Sequence, residues 1–535
     1  MESTSRLSIQ TKELLEHIQK LNEQKQERQS DIDLISVSNL TSGIEFVYEK
    51  IRNALDYHEE HLWLKNAILR ILKRRLDEIL AKQSVGRGLV EELIRGRYLE
   101  NNHWEESKTQ QIDDILEKYR RVLEILETQT ALPEKTTSRL EQWFLGIAAV
   151  ELENSFQKNH YDRLYIDYFW SSIKERLIVD PELASPEFDQ QLYLSVFRNF
   201  LQADVQLESF ELFRLQYPQW FTDSTAIEHS LANNIESIKL SFDHALRFPL
   251  RKKLDSIMKR RGLLISLLRD IIEEQNGQTA ATLENPELLE GKLKEFYDKR
   301  YLAGRAKLQT AAIRAIIFLV LTKMALLFVT EIPYQRIHEG QLNIPVLLLN
   351  TLIPPFLLIG FSSMIRMPGE EQNFVKVVSD FVKIIKEPDP NGALESVKAP
   401  RKRSVPVEIS LGMLYGLNFG FTGWLFLNIF RTFSYNVVDG FVFVFFLSLV
   451  SFFAFRLRKT ANEITAVEQK ENLFMTVVEI ILLPTVELGR FLSQGLSALN
   501  LTAFIFDFLI ETPIKSLTSI LEEWFGFVRE QKQKL

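Results

Sequence analysis

Apolar and polar residues follow one another along this chain in two different ways, and the change falls near residue 308. Up to about Lys307 the apolar positions recur at helical spacing among many charges. After Ser185, for example, Phe188, Leu192, Val196, Phe197 and Phe200 fall on one helical face. Asp180-Pro181-Glu182, Ser185-Pro186-Glu187 and Asn285-Pro286-Glu287 each combine a capping side chain, a proline suited to the first turn and an acid that favours the positive helix end. Nothing comparable supports a sheet. The region 36–308 therefore reads as a bundle of long helices, preceded over 1–35 by a polar tail that is partly helical or disordered.

After Gln309 the polar interruptions become sparse. Four runs reach the roughly 20 apolar residues needed to cross a bilayer: Ala311–Thr330, Ile344–Met364, Ile409–Phe430 and Val437–Phe455. The connections EIPYQRIHEGQLN and RTFSYN carry one Lys or Arg each, whereas the segment Arg366–Glu408 carries eight. By the positive-inside rule both short connections lie outside and both termini in the cytoplasm. The expected fold class is all-α, a cytoplasmic helical-bundle domain followed by a four-span transmembrane bundle with interfacial amphipathic helices. Its expected divisions are a tail over 1–35, the cytoplasmic domain over 36–308, a first hairpin over 309–365, a cytoplasmic loop over 366–408, a second hairpin over 409–459 and interfacial or re-entrant helices over 460–535.

Within the loop, EQNFVKVVSDFVKIIK places Phe374, Val377, Val378, Phe381, Ile384 and Ile385 with their apolar neighbours on one half of a helix. Lys376, Lys383 and Lys386 lie on the other half, and Arg401, Lys402 and Arg403 come downstream. This pattern suits a helix lying on anionic headgroups at the cytoplasmic surface, or docking on the cytoplasmic domain. The stretch 473–512 is apolar but interrupted by Glu479, Pro484, Glu487, Arg490 and Asp507. That favours re-entrant or interfacial helices, with a fifth span as the alternative.

Inside the spans two features stand out. Gly412, Gly416 and Gly420 recur every four residues and make a groove for close helix packing. The groove is expected to serve contacts within the four-span bundle; the alternative is a symmetric contact in a homo-oligomer. Lys323 lies deep in the first span and Asp439 enters the fourth from the same outer side, so a charge pair between them is expected. Pro354-Pro355 should kink the second span.

Composition narrows the chemistry. The chain has 535 residues, a formal net charge of −7 and no cysteine, which excludes disulfides, thiolate catalysis and thiolate-bound metals and argues against wrapping nucleic acid. The polar N-terminus lacks a secretory signal pattern, so an internal segment must direct membrane entry. His58 and His61 are three apart, not the four of a zinc-protease helix, and fall on the apolar stripe of a helix expected over about Gly43–Ala81. They read as packed histidines. Glu100 and His103 match one half of a di-iron motif with no second copy. Walker, nucleophile-elbow and dinucleotide signatures are missing. The basic runs Lys73-Arg74-Arg75, Arg251-Lys252-Lys253 and Lys259-Arg260-Arg261 suit an anionic partner or simply a solvated face. These readings give no catalytic, cofactor or metal residue. The expectation is a multi-pass protein of the cell membrane that serves as a scaffold or interaction protein for unknown partners. A transporter or channel component is the second expectation and a membrane-bound enzyme the third.

Overall fold

The switch in patterning near residue 308 falls inside one helix. Pro286–Leu326 runs unbroken for 41 residues, about 60 Å at 1.5 Å per residue, so the boundary expected between a domain ending at 308 and a hairpin beginning at 309 is not a break in the chain. The structure, a computed structural model, describes residues 6–25, 34–35, 37, 60–128, 133–156, 160–275, 279–364, 370–388, 394–399, 404–462 and 473–498.

In chain order the elements begin with α1 Ile9–Lys25, α2 Trp63–Arg74, α3 Leu76–Leu80, α4 Gly86–Arg95, α5 Ser107–Thr128, α6 Glu134–Phe156 and α7 His160–Lys174. The short strand β1, Leu177–Val179, leads into α8 Pro186–Leu201, α9 Val205–Gln216, α10 Glu228–Leu246, α11 Arg251–Gln275, α12 Thr279–Glu284 and α13 Pro286–Leu326. A single π-helical turn, Leu327–Glu331, joins α13 to α14 Ile332–His338. Then come α15 Ile344–Met364, α16 Glu370–Ile385, the strand β2 Glu395–Val397, α17 Val405–Thr432, α18 Val437–Asn462 and α19 Leu473–Ala498.

The chain divides into two units by its internal contacts. One gathers the described residues of His17–Asp167 and Asp189–Lys252, where the described regular elements are helices and a single bridge joins Leu34 to Glu105. Its α2 buries Leu64, Ala67, Ile68, Ile71 and Leu72, the i, i+3, i+4 stripe of a helix covered on one face. An aromatic cluster fills the centre: Tyr119, Phe144, Phe213 and Trp220 are all buried, with ring centroids 4.9 Å apart for Tyr119–Phe144 and 5.6 Å for Phe213–Trp220. Tilted and edge-on rings at these spacings add to the area they bury.

The other unit gathers the described residues of Met1–Glu16, Tyr168–Phe188 and Lys253–Leu499. Four of its helices are long and apolar enough to cross a membrane: Pro286–His338, Ile344–Ser362, Val405–Thr432 and Val437–Ala454. These are the four expected spans, with the first extended on the N-terminal side through α13 and on the C-terminal side through α14. Leu319, Leu358, Val442, Phe446, Val450 and Leu457 of α13, α15 and α18 form their common core. Elsewhere the apolar surface stays uncovered: only 11% of the most apolar stretch of the first helix and 6% of that of α17 is buried. In water such surface is strongly unfavourable; in lipid it is not.

The N-terminal half of α13 behaves differently. Leu289, Leu293, Tyr297 and Tyr301 are buried at a spacing of four, Tyr297 Oη accepts a 2.8 Å hydrogen bond from Asn373 Nδ2 of α16, and Arg300 clasps Asp270 of α11 with bonds of 2.6 and 2.7 Å. The apolar face of α16, expected against lipid or the cytoplasmic domain, is covered within this unit: Phe374, Val377, Phe381, Ile384 and Ile385 are buried. The carbonyls left open at its C-terminal end are filled from distant parts of the chain. Ser8 N and Thr11 Oγ1 each donate to Ile385 O at 2.9 Å, and Arg176 donates to Lys383 O and Lys386 O at 2.6 Å. A guanidinium there also suits the negative end of the helix. Beyond it β2 pairs in parallel with β1, Leu177 opposite Glu395, and Arg260 and Arg261 hold the Glu395 carboxylate at 2.7 and 2.9 Å. The described parts of the connection, 370–388 and 394–399, form a built hub, and residues 9–25 of the tail expected to be partly helical form α1, with Leu14 and Ile18 buried.

α19 falls in the stretch expected to hold interfacial or re-entrant helices, or a fifth span, and it packs against α18. It runs antiparallel to α18, Ser451 bonding Thr485 at 2.9 Å and Gly489 lying against Ser448. It also touches α17 through Asn418 Nδ2, which donates to Ile480 O at 2.7 Å. Pro484 stays inside the helix, and Glu487 pairs with Arg490 at 2.5 Å, which lowers the cost of carrying both beside apolar helices. α15 likewise continues through Pro354 and Pro355.

Candidate functional site

Five polar side chains are buried together among the long apolar helices: Lys323, Glu331, Gln335, Asn350 and Asp439, none more than 1% exposed. Their positions result from the π turn. In a regular α-helix a residue eight positions on lies about 80° round the axis, whereas one seven positions on nearly returns to the same face. The π turn inserts one extra residue, so Glu331 comes to stand two turns above Lys323 on the same side. There the Lys323 ammonium pairs with Glu331 Oε1 and sits 5.2 Å from the Phe446 ring centroid of α18, a cation–π contact in a desolvated place.

The rest is a network of amides. Asn350 Nδ2 of α15 donates to Glu331 Oε2 and to the backbone carbonyl of Asp439, both at 3.1 Å. Gln335 Nε2 donates to Asp439 Oδ2 at 2.6 Å while its Oε1 accepts from Asn343 N at 2.8 Å. Asn436 Nδ2 gives Asp439 Oδ2 a second donor at 2.8 Å, and Asn436 Oδ1 caps α18 by accepting from Asp439 N at 2.8 Å. The cluster thus ties α13, the π turn, α14, α15 and α18 together. It carries one ammonium against two carboxylates.

The direct Lys323–Asp439 pair expected from the sequence does not form. Glu331, brought round by the π turn, takes the ammonium, and the amides of Gln335 and Asn436 take Asp439. The sequence pattern hides Glu331 and Gln335 because the apolar run ends at Thr330 and the residues after it read as an outside connection. The signal available was the lack of any helix breaker between Thr330 and Gly340 apart from a proline that a first turn accepts.

Comparisons with family models, curated proteins and solved structures found no match to this chain.

The glycine groove also sits differently from its expected place. A Cβ built on Gly412, Gly416 or Gly420 meets nothing within 4 Å, so the groove faces outward and does not pack against another described helix of the chain. Among the described glycines of the long apolar helices and α19, the close approach to another helix backbone is at Gly489, where a Cβ would overlap Ser448 O and stand 2.9 Å from Phe452 Cβ.

Of the lysines expected at a lipid surface, Lys376 is ion-paired with Asp380 at 2.8 Å, while Lys383 and Lys386 offer their backbone carbonyls to Arg176. Arg401, Lys402 and Arg403 lie outside the described residues. The basic runs are drawn into internal pairs: Arg75 with Glu92 at 2.7 Å, Arg251 with Glu208 at 2.7 Å, and Arg260 and Arg261 with Glu395.

His58 lies outside the described residues. His61 is exposed in a short 3-10 turn that precedes α2, so it is not packed in a helix seam; the regular helix begins only at Trp63. Glu100 and His103 face each other at 3.8 Å on an exposed turn, not on a helix. Among the described residues no three His, Asp or Glu side chains are arranged to hold a metal ion.

The helical unit has its own buried charges. Lys65 of α2 is fully buried and pairs with Asp204, whose Oδ1 also caps α9 by accepting from Gln206 N and Leu207 N at 3.1 and 3.0 Å. Burial pushes the nearby Glu153 carboxyl up to about 7 against the pull of the Lys65 ammonium. A carboxyl so shifted marks many catalytic sites, but Asp204 is fully engaged as cap and counter-ion, a structural arrangement.

Proposed function

We propose that this chain is an integral protein of the cell membrane, with both termini in the cytoplasm, that holds its helical unit at the membrane as a non-enzymatic scaffold or interaction module. The observation that carries the reading is α13. Its first half is charged and packed through Leu289, Leu293, Tyr297 and Tyr301, and its second half is apolar and uncovered. One continuous helix therefore leads from surroundings suited to water into surroundings suited to lipid, with no flexible joint between them.

The hub around α16 supports the orientation. Residues 6–11, Arg176, β1, Arg260 and the connection between the second and third spans are bonded to one another, so they share one side of a membrane. That side carries the eight basic residues of 366–408, which the positive-inside rule assigns to the cytoplasm. Anionic headgroups and acidic proteins are the partner chemistry that suits it, and nucleic acid is not among the proposed partners.

Affinity purification from native membranes in mild detergent tests the interaction role. A stoichiometric protein partner that crosslinks to the helical unit is the expected result. A chain recovered alone that conducts ions in liposomes contradicts it and supports the second reading, a transporter or channel component, for which the buried charged cluster is the specific observation.

A further inference from the structure

The two oxygens of Asp439 are treated very differently. Oδ2 accepts from two amides, Gln335 Nε2 and Asn436 Nδ2. Oδ1 is buried with no hydrogen-bond partner. Both oxygens of Glu331, by contrast, have donors, the Lys323 ammonium and the Asn350 amide. An ionised carboxylate leaves neither oxygen bare at such burial without a large cost. A neutral carboxylic acid has this shape: its carbonyl oxygen accepts, and its hydroxyl needs an acceptor. A second orphan fits that need, because Asn350 Oδ1 is also buried without a partner and belongs to the amide that bonds the Asp439 backbone carbonyl. The charge count agrees, since a proton removes the excess negative charge that one ammonium leaves beside two carboxylates.

We propose that the cluster binds one exchangeable proton on Asp439 Oδ1, within the same buried group as the bare Asn350 Oδ1 and the Lys323–Glu331 ion pair. Uptake converts the carboxylate and a proton into a carboxylic acid and changes no other bond. The charged or titratable groups that face it are Lys323, Glu331, Tyr435 and, through Asn436, the exposed Glu339. Asn436 Nδ2 bonds Glu339 Oε1 at 2.7 Å as well as Asp439, so the site lies one residue beneath the surface that carries the two short connections. The proton exchanges with that side, which by the orientation above is the outside.

The proposal rests on reading these helices as membrane spans, and vesicle flotation reports that reading separately. The test is infrared difference spectroscopy of the full chain in lipid vesicles between about pH 5 and about pH 8, with potassium as the only alkali ion. The expected result is a protonated-carboxyl stretching band that shifts in deuterium oxide, disappears in Asp439→Asn, needs a lower pH to appear in Glu331→Gln, where one negative charge fewer faces Asp439, and moves without vanishing in Asp439→Glu. Asp439→Asn, which supplies a permanent amide donor, should fold and unfold at a temperature no lower than the parent. A band that survives Asp439→Asn, or no such band at any pH, overturns the proposal. So does a band that sodium removes at constant pH, which makes the site one for an alkali cation.

Discussion

Glu331 stands two turns above Lys323, on the same face of a helix eight residues on, because a π turn has taken up one residue between them. The pair is buried where water does not solvate it, so removing one partner leaves a bare charge worth about 3–5 kcal/mol of destabilisation. Deleting Val329 should regularise the turn and leave Glu331 seven positions from Lys323, on nearly the same face. We expect the deletion to lower the unfolding temperature in detergent less than Glu331→Ala does. A loss as large as that of Glu331→Ala contradicts the role given to the π turn.

Helix packing gives a paired contrast. Gly489→Leu should strongly destabilise, because the new side chain begins where the Ser448 backbone already lies. Gly416→Leu should leave unfolding of the single chain unchanged, because its Cβ meets nothing. Thermal unfolding of both variants in one detergent decides the matter, and equal losses would refute the placement of α19.

The four long apolar helices are legible in the sequence because their runs are long and almost free of charge, whereas the nearest rival, 473–512, is interrupted by Glu479, Pro484, Glu487, Arg490 and Asp507. What the sequence concealed were relationships between residues remote in number. Gly416 looked like a packing position from its spacing alone, yet spacing does not say which side of a helix finds a partner. Gly489, which does meet the backbone of α18, has no such repeat around it. The half-circumference stripe of α16 is plain in the sequence. What covers it is not, since its caps come from Ser8, Thr11 and Arg176, all more than 200 positions away.

Lys65 and Asp204 test the helical unit. Asp204→Asn keeps an acceptor for the cap of α9 but removes the counter-ion, whereas Asp204→Ala removes both. Loss of the cap costs about 1 kcal/mol and the stranded ammonium about 3–5 kcal/mol. Denaturant unfolding of the full chain should rank parent above Asp204→Asn above Asp204→Ala. Adding Lys65→Met to Asp204→Ala should recover most of the loss.

Glu153 should make the stability of the same unit fall as pH rises. Its carboxyl titrates near 7 when folded and near the ordinary value of about 4.3 when unfolded. Between those values the folded state holds the extra proton, so the contribution is fully present below the unfolded value and is lost as pH passes through about 7. The full effect is on the order of 3 kcal/mol. Glu153→Gln should flatten this window and be the more stable protein above it; an unchanged slope contradicts the assignment.

The central claim is that four helices cross a membrane with the hub and helical unit on the cytoplasmic side. Topology reporters fused at Gln341 and Ser434, in the two short connections, and at Asn391 and Lys534 test it most directly. The account predicts external signals from the first two and internal signals from the last two. A reversed pattern at either hairpin, or four internal signals, contradicts it.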